Sequence, residues 1–201
     1  KQVYQKPETL FGNQTVDLAL VTMEARQAPQ SINLALEQGC HVFAEKPACL
    51  SAQQFEPLVQ KAESKHLHLT LALANRTNPE IRFAKSLIEE GTIGKIYGVD
   101  MTLLADQTRL SSPAYHKSWY AHKDRAGGGF LSWLGIHWLD LSMYLTESSI
   151  TDVSGFTALV GGQPIDVEDS AALSFRYEAG FLGTLTAGYF MNRGYQSMIK
   201  I

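Results

Sequence analysis

The chain has 201 residues, with 17 Lys and Arg against 20 Asp and Glu for a formal charge of −3, and 45% of its residues are hydrophobic. That balance belongs to a folded chain with a sizeable core, not to a disordered or fibrous one. It has no basic run of the kind a nucleic-acid surface needs, no apolar run near the ~20 residues that span a bilayer, and two cysteines, Cys40 and Cys49, too few for a disulfide framework. A cytoplasmic, reducing setting without nucleic-acid or membrane partners is expected.

Residues 16–21 form a nearly continuous apolar run, as in a strand covered on both faces. Pro29 suits a first helical turn, and Ile32, Ala35 and Leu36 keep helical spacing until Gly39. Residues 41–44 read as a second strand. Ser51 with Gln54 predicts a capping box, and Phe55, Leu58, Val59 and Ala62 supply an apolar stripe. Pro57 inside that stripe predicts a kink or a later helix start. Residues 67–73 read as a third strand, with His66 and His68 facing one side. Strand–helix–strand–helix–strand with short links implies parallel pairing and right-handed crossovers, half of a doubly wound sheet. The Gly-rich phosphate turn of such a fold, G-x-G-x-x-G, occurs nowhere in the sequence.

Beyond Ala74 the pattern changes. A helix is predicted over 78–91 and a strand over 96–104, followed by a polar, aromatic loop over 105–126. Gly127-Gly-Gly129 opens a helix that runs to Leu145, and strands follow near 151–160, 168–177 and 181–190, with another from Ser197. The fold class expected is α/β: half of a doubly wound sheet over 1–74, either of another fold or of one whose first half is missing, then an α+β domain with a largely antiparallel sheet over 75–201.

Several side chains suggest chemistry. Lys46 of Glu45-Lys46-Pro47 directly follows a parallel strand, where open α/β sheets bind ligands, and burial beside a cation would make it a proton donor or acceptor near neutral pH. A surface ion pair is the plainer reading, and a cis bond before Pro47 is conceivable. On the helix over 129–145, Trp133, His137 and Asp140 gather beside the core stripe, so Asp140 is placed to orient or charge His137. The plainer alternative is a core-edge histidine. The triple glycine is suited to cradling an anion or, more simply, to close backbone approach. His116, His122 and His137 match no metal-ligand spacing, and no metal is expected.

The order V-D-L-A-L-V-T, A-L-E-Q-G-C-H-V-F-A-E-K-P, N-R-T-N-P, G-G-G-F-L-S-W-L-G-I-H-W-L-D, then V-E-D-S-A-A-L-S-F-R-Y and F-L-G-T-L, resembles the Gfo/Idh/MocA oxidoreductases through essentially the whole chain. The resemblance implies the C-terminal half of a Rossmann domain, entered after its Gly-rich half, and a second domain whose large, mostly antiparallel sheet often forms the subunit interface. It implies NAD or NADP as cofactor and a sugar, cyclitol or related polyol as substrate. Lys46 matches the catalytic, nicotinamide-adjacent lysine and Glu45 the cofactor-side residue before it. Thr22 matches the segment near the nicotinamide ribose, and His137 the histidine that contacts substrate or relays its proton. Arg109, Tyr115, Trp119, Tyr120, His122 and Arg125 fall in the expected substrate shell, with Trp133 and Asp140 beside them. Two departures stand out. Trp133 replaces the Asp that many members place four residues before the histidine, and Thr22-Met-Glu-Ala-Arg-Gln27 replaces T-P-N-x-x-H. A non-catalytic, dinucleotide-binding regulatory member and an oligomerisation module are the alternatives. The 201 residues alone are expected to be inactive, because they lack the pyrophosphate turn.

Overall fold

The computed structural model describes residues 2–201, which form two units. One comprises the chain up to Ala72 together with Asp124–Gly127, and the other Leu73–Lys123 with Gly128–Ile201.

In the first unit, α1 (Pro7–Asn13), β1 (Leu18–Val21), α2 (Ala28–Glu37), β2 (His41–Ala44), α3 (Ala52–Ser64) and β3 (Leu69–Leu71) follow in order. The strands lie side by side as β1-β2-β3, and both pairings are parallel. The expected α/β half is therefore present. Its core joins Val21, Val42 and Ala44 of the sheet to Ile32, Ala35 and Leu36 of α2 and to Leu58 and Ala62 of α3. Apolar side chains on one stripe of each helix can leave water only by packing on the sheet, which is why the sequence pattern and the buried set agree.

Three local expectations change. The helix α3 begins at Ala52 with Pro57 inside it, so the proline does not delay the start. It sits within two turns of the N-terminus and removes a single backbone donor, while Leu58 and Ala62 just beyond it are buried. The expected capping box does not form: Ser51 makes no side-chain cap, and Gln54 Oε1 accepts not from the Ser51 amide but from that of Leu50 before it, at 3.1 Å. His66 lies in a left-handed turn before β3 and not on the strand, with φ of 55°. The helix α1 has no buried residue, and so no apolar stripe announces it.

In the second unit, α4 (Pro79–Glu89) precedes β4 (Gly98–Asp106). The stretch after β4 is not an irregular loop. It folds into short helical turns at Gln107–Ser111, α5 (Pro113–Lys117) and Trp119–Ala121, before α6 (Lys123–Ala126), which from Asp124 on belongs to the first unit. A π-helical turn, Leu131–Gly135, then leads into α7 (Ile136–Thr146), and β5 (Ile150–Ala158), β6 (Ser170–Tyr177), β7 (Leu182–Met191) and β8 (Gln196–Lys200) complete the unit. The sheet order is β5-β6-β7-β4-β8. It is mixed: β4 runs parallel to β7, and the other three pairings are antiparallel. The β6–β7 hairpin turns at Gly180 with φ of 88°, where a side chain would be strained.

Alternation along these strands sorts their side chains. Val99, Met101 and Leu103 of β4, Leu185 and Ala187 of β7, and Phe175 and Tyr177 of β6 enter a core that Leu131, Leu134 and Trp138 join. The register sets Phe156, Ala172 and Thr186 in a row on the opposite face, where Phe156 is 84% exposed.

Candidate functional site

Parallel register places Val21 opposite Ala44, so the chain leaves β1 and β2 side by side at their carboxyl ends. The Glu45 amide donates to the Val21 carbonyl at 2.8 Å, extending that pairing by one step. Exposed Thr22 and Glu45 and half-buried Lys46 therefore stand together where open α/β sheets receive ligands. Glu45 Oε2 accepts from the Lys46 amide at 3.0 Å, the Lys46–Pro47 bond is cis, and Pro47 and Ala48 are buried. The loop from Thr22 to α2 is held by Glu24, whose carbonyl accepts from the Gln27 and Ala28 amides, both at 2.9 Å. Its buried carboxylate pairs with Arg125. Thr22, Glu45 and Lys46 are thus the residues that would hold the nicotinamide side of a dinucleotide bound at the carboxyl ends of these two parallel strands.

In the second unit, half-buried His137 is the second residue of α7. Trp133 lies in the π turn, where the Ile136 amide reaches back to Leu131, so the angular step there is not the uniform one the sequence spacing assumes. Its ring meets Tyr120 at 5.2 Å and Trp119 at 5.6 Å, while Trp119 and Tyr120 meet at 5.6 Å. Tyr115 extends the group, 4.9 Å from Tyr120. Burial pushes the Tyr115 phenol well above its ordinary pKa, so it stays a neutral donor. Arg109 is exposed and His122 half-buried.

Asp140 is buried, and both its oxygens are engaged by Arg76: Nε donates to Oδ2 at 2.8 Å and Nη2 to Oδ1. Arg76 lies in N-R-T-N-P, a motif to which the sequence attaches no role. The carboxylate holds the guanidinium pKa above its usual value.

The triple glycine is not open to an anion from solution, because the protein supplies its own. Glu168 Oε2 accepts from the Gly129 amide at 2.6 Å and Oε1 from the Leu131 amide at 3.0 Å, while the Glu168 carbonyl accepts from the Phe130 amide at 2.9 Å. A Cβ on Gly129 would lie 1.9 Å from that carbonyl oxygen, so close backbone approach is the reason for glycine there. Glu168 is legible only as a motif residue; its partners lie 37 and 39 positions away. Among the described residues, no group of three or more His, Cys, Asp or Glu is placed to hold a metal ion. The His116 ring bonds the Leu110 carbonyl.

Residues 81–201 match the GFO/IDH/MocA C-terminal domain, and residues 1–73 match the oxidoreductase family with an NAD-binding Rossmann fold. The chain belongs to the Gfo/Idh/MocA family. Levoglucosan dehydrogenase of Pseudarthrobacter phenanthrenivorans is 27% identical over 176 residues, covering 76% of this chain and 44% of that protein. Myo-inositol 2-dehydrogenase of Thermotoga maritima is 23% identical across all of this chain and 58% of its own length. The chain thus spans about half the length of the curated relatives it matches. The fold is also that of a levoglucosan dehydrogenase solved with NADH, with a TM-score of 0.88, 22% identity, and coverage of 97% of this chain and 54% of that one.

Proposed function

We propose that the protein is an NAD- or NADP-dependent oxidoreductase that moves a hydride between the nicotinamide and a carbinol carbon of a sugar, cyclitol or related polyol. The observation that carries this reading is Lys46 in the cis Glu45-Lys46-Pro47 turn at the carboxyl end of β2, beside Thr22. The names of its relatives, levoglucosan dehydrogenase and myo-inositol 2-dehydrogenase, support the substrate class.

The bound nicotinamide would supply the hydride acceptor or donor. The chain's own residues position the reactants and handle the proton. Thr22 and Glu45 hold the cofactor side, and Lys46 takes the proton from the substrate hydroxyl during oxidation or returns it during reduction. His137 is the second unit's candidate to bind substrate or relay a proton. Trp119, Tyr120 and Trp133 offer ring faces to the C–H face of a sugar or cyclitol, and Asp140, expected in that shell, instead anchors the helix of His137 through Arg76.

A non-catalytic, dinucleotide-binding regulator is the second reading, favoured by Trp133 at the position where many family members carry Asp. The exposed sheet face around Phe156 and Leu182 supports assembly of identical subunits through the C-terminal sheet. No helix among the described residues is long and apolar enough to cross a membrane, and Cys40 and Cys49 are both free, which supports a reducing, cytoplasmic setting.

The test uses the complete gene product. NAD and NADP are titrated, and absorbance of the reduced cofactor is followed across sugars, cyclitols and their oxidised forms. Turnover on a polyol that Lys46→Ala abolishes, with cofactor binding retained, is expected. Tight binding without turnover on any member selects the regulatory reading, and wild-type turnover in Lys46→Ala overturns the role of that lysine.

A further inference from the structure

The loop that departs most from the family pattern, Thr22–Gln27, is closed by charge. Glu24 is 8% exposed. Its Oε2 accepts from Arg125 Nε at 3.0 Å and from Arg125 Nη2, and its Oε1 lies 3.4 Å from Arg26 Nη2. Arg26 Nη1 crosses to Asp124 Oδ2 at 3.0 Å, and the Arg26 amide donates to the Arg125 carbonyl at 3.2 Å. Two short segments, 24–26 and 124–125, are thus zipped by crossed ion pairs and a backbone hydrogen bond. The glutamate at their centre also shapes the turn into α2 through its carbonyl. A buried carboxylate is stable only while its counter-charge is present, so this loop's shape depends on Arg125.

We propose that Glu24 and Arg125 are positioning residues for the dinucleotide. They fix the turn between β1 and α2, and so fix where Thr22 stands at the carboxyl end of β1, the place an open α/β sheet offers such a ligand. Neither residue is required to touch the cofactor or the reacting atoms. Glu24, at the Asn position of the T-P-N-x-x-H pattern, and Arg26, at one of its unrestricted positions, thereby gain a shared purpose: they form an ion-pair zipper whose other half is Asp124–Arg125. The inference rests on the dinucleotide-binding reading above.

The test uses the complete gene product and reads cofactor affinity directly by the fluorescence of bound NADH or NADPH, well below the melting temperature. Glu24→Gln, which keeps shape and removes charge, should weaken that binding at least about tenfold, as expected when the charge-assisted hydrogen bonds that set the loop lose their charge. Arg125→Lys, which keeps the charge, should bind within about threefold of the wild type, while the KM for polyol moves less than about twofold in Glu24→Gln, because the loss is confined to cofactor binding. Hydrogen exchange on the wild type gives a reading that needs no variant: cofactor should slow exchange in 22–28 and in 124–127 together. Variants with lower melting temperature but wild-type cofactor affinity, or protection of 22–28 without 124–127, overturn the proposal. A wild type that binds neither cofactor overturns the functional reading beneath it instead.

Discussion

Arg76 and Asp140, 64 positions apart, meet as an ion pair whose two ends are unequally buried: the Arg76 side chain is 46% exposed and that of Asp140 only 7%. The pair draws the 3₁₀ turn Ala74–Thr77 onto the helix that carries His137. The aromatic ring of Tyr144 lies under the same cation, 5.2 Å from the guanidinium carbon, with Lys85 Nζ 5.1 Å from the ring centroid.

That asymmetry predicts unequal costs. Arg76→Ala strands a buried carboxylate and should destabilise by about 3 kcal/mol, whereas Asp140→Asn releases a cation that water can reach and should cost about 1 kcal/mol. Urea denaturation of the two variants checks this. Equal losses would mean that the aspartate's burial does not govern the pair.

Gly129 and Gly162 form a second contrast. A Cβ at Gly129 meets the Glu168 carbonyl oxygen at 1.9 Å, whereas at Gly162, with φ of 65°, it meets nothing within 4 Å. Gly129→Ala must push the segment before β6 off a helix end and is expected to cost more than about 3 kcal/mol, against about 1 kcal/mol of backbone strain for Gly162→Ala. Thermal melting of both variants decides between steric and conformational cost.

The Tyr177 hydroxyl, fully buried, donates to Ser142 Oγ at 2.8 Å, and burial raises its pKa. A phenol whose folded pKa exceeds its unfolded value keeps its proton longer when folded. Its contribution to stability is complete below the unfolded pKa, about 10, and is lost as pH climbs through the higher folded value. Stability should therefore fall above about pH 10, and Tyr177→Phe should flatten that fall while costing about 1 kcal/mol at neutral pH for the lost hydrogen bond. Urea midpoints at pH 7, 9 and 11 provide the measurement.

Trp133 packs against two rings, and its proposed task is to face a sugar. Trp133→Ala should raise the KM for polyol about tenfold, and Trp133→Phe, which keeps an aromatic face, by no more than about threefold. A kcat that collapses in both variants at unchanged KM would assign Trp133 to the chemical step instead.

How much of this was readable beforehand depended on the range of the interaction. The strand over 41–44 and the stripe Ile32, Ala35 and Leu36 are written in local periodicity, and they appear where expected. The turns at 107–121 were unreadable because each is too short to show a period, and their shape comes from contacts such as Tyr120 on Trp133. The parallel β4–β7 pair escaped for a similar reason: β5 and β6 intervene in sequence, and nothing local records which strand lies beside β4.

By itself, the sequence determined the strands and helices of the parallel half sheet and the family, because periodicity and ordered motifs are properties of neighbouring residues. It also put Lys46 after a parallel strand and His137 beside a core stripe. Only the tertiary structure decided the partners of the charges: Arg76 for Asp140, Arg125 for Glu24, and the amides of Gly129 and Leu131 for Glu168. A buried charge must find its counterpart wherever the fold brings one, and that distance in space leaves no mark on distance along the chain.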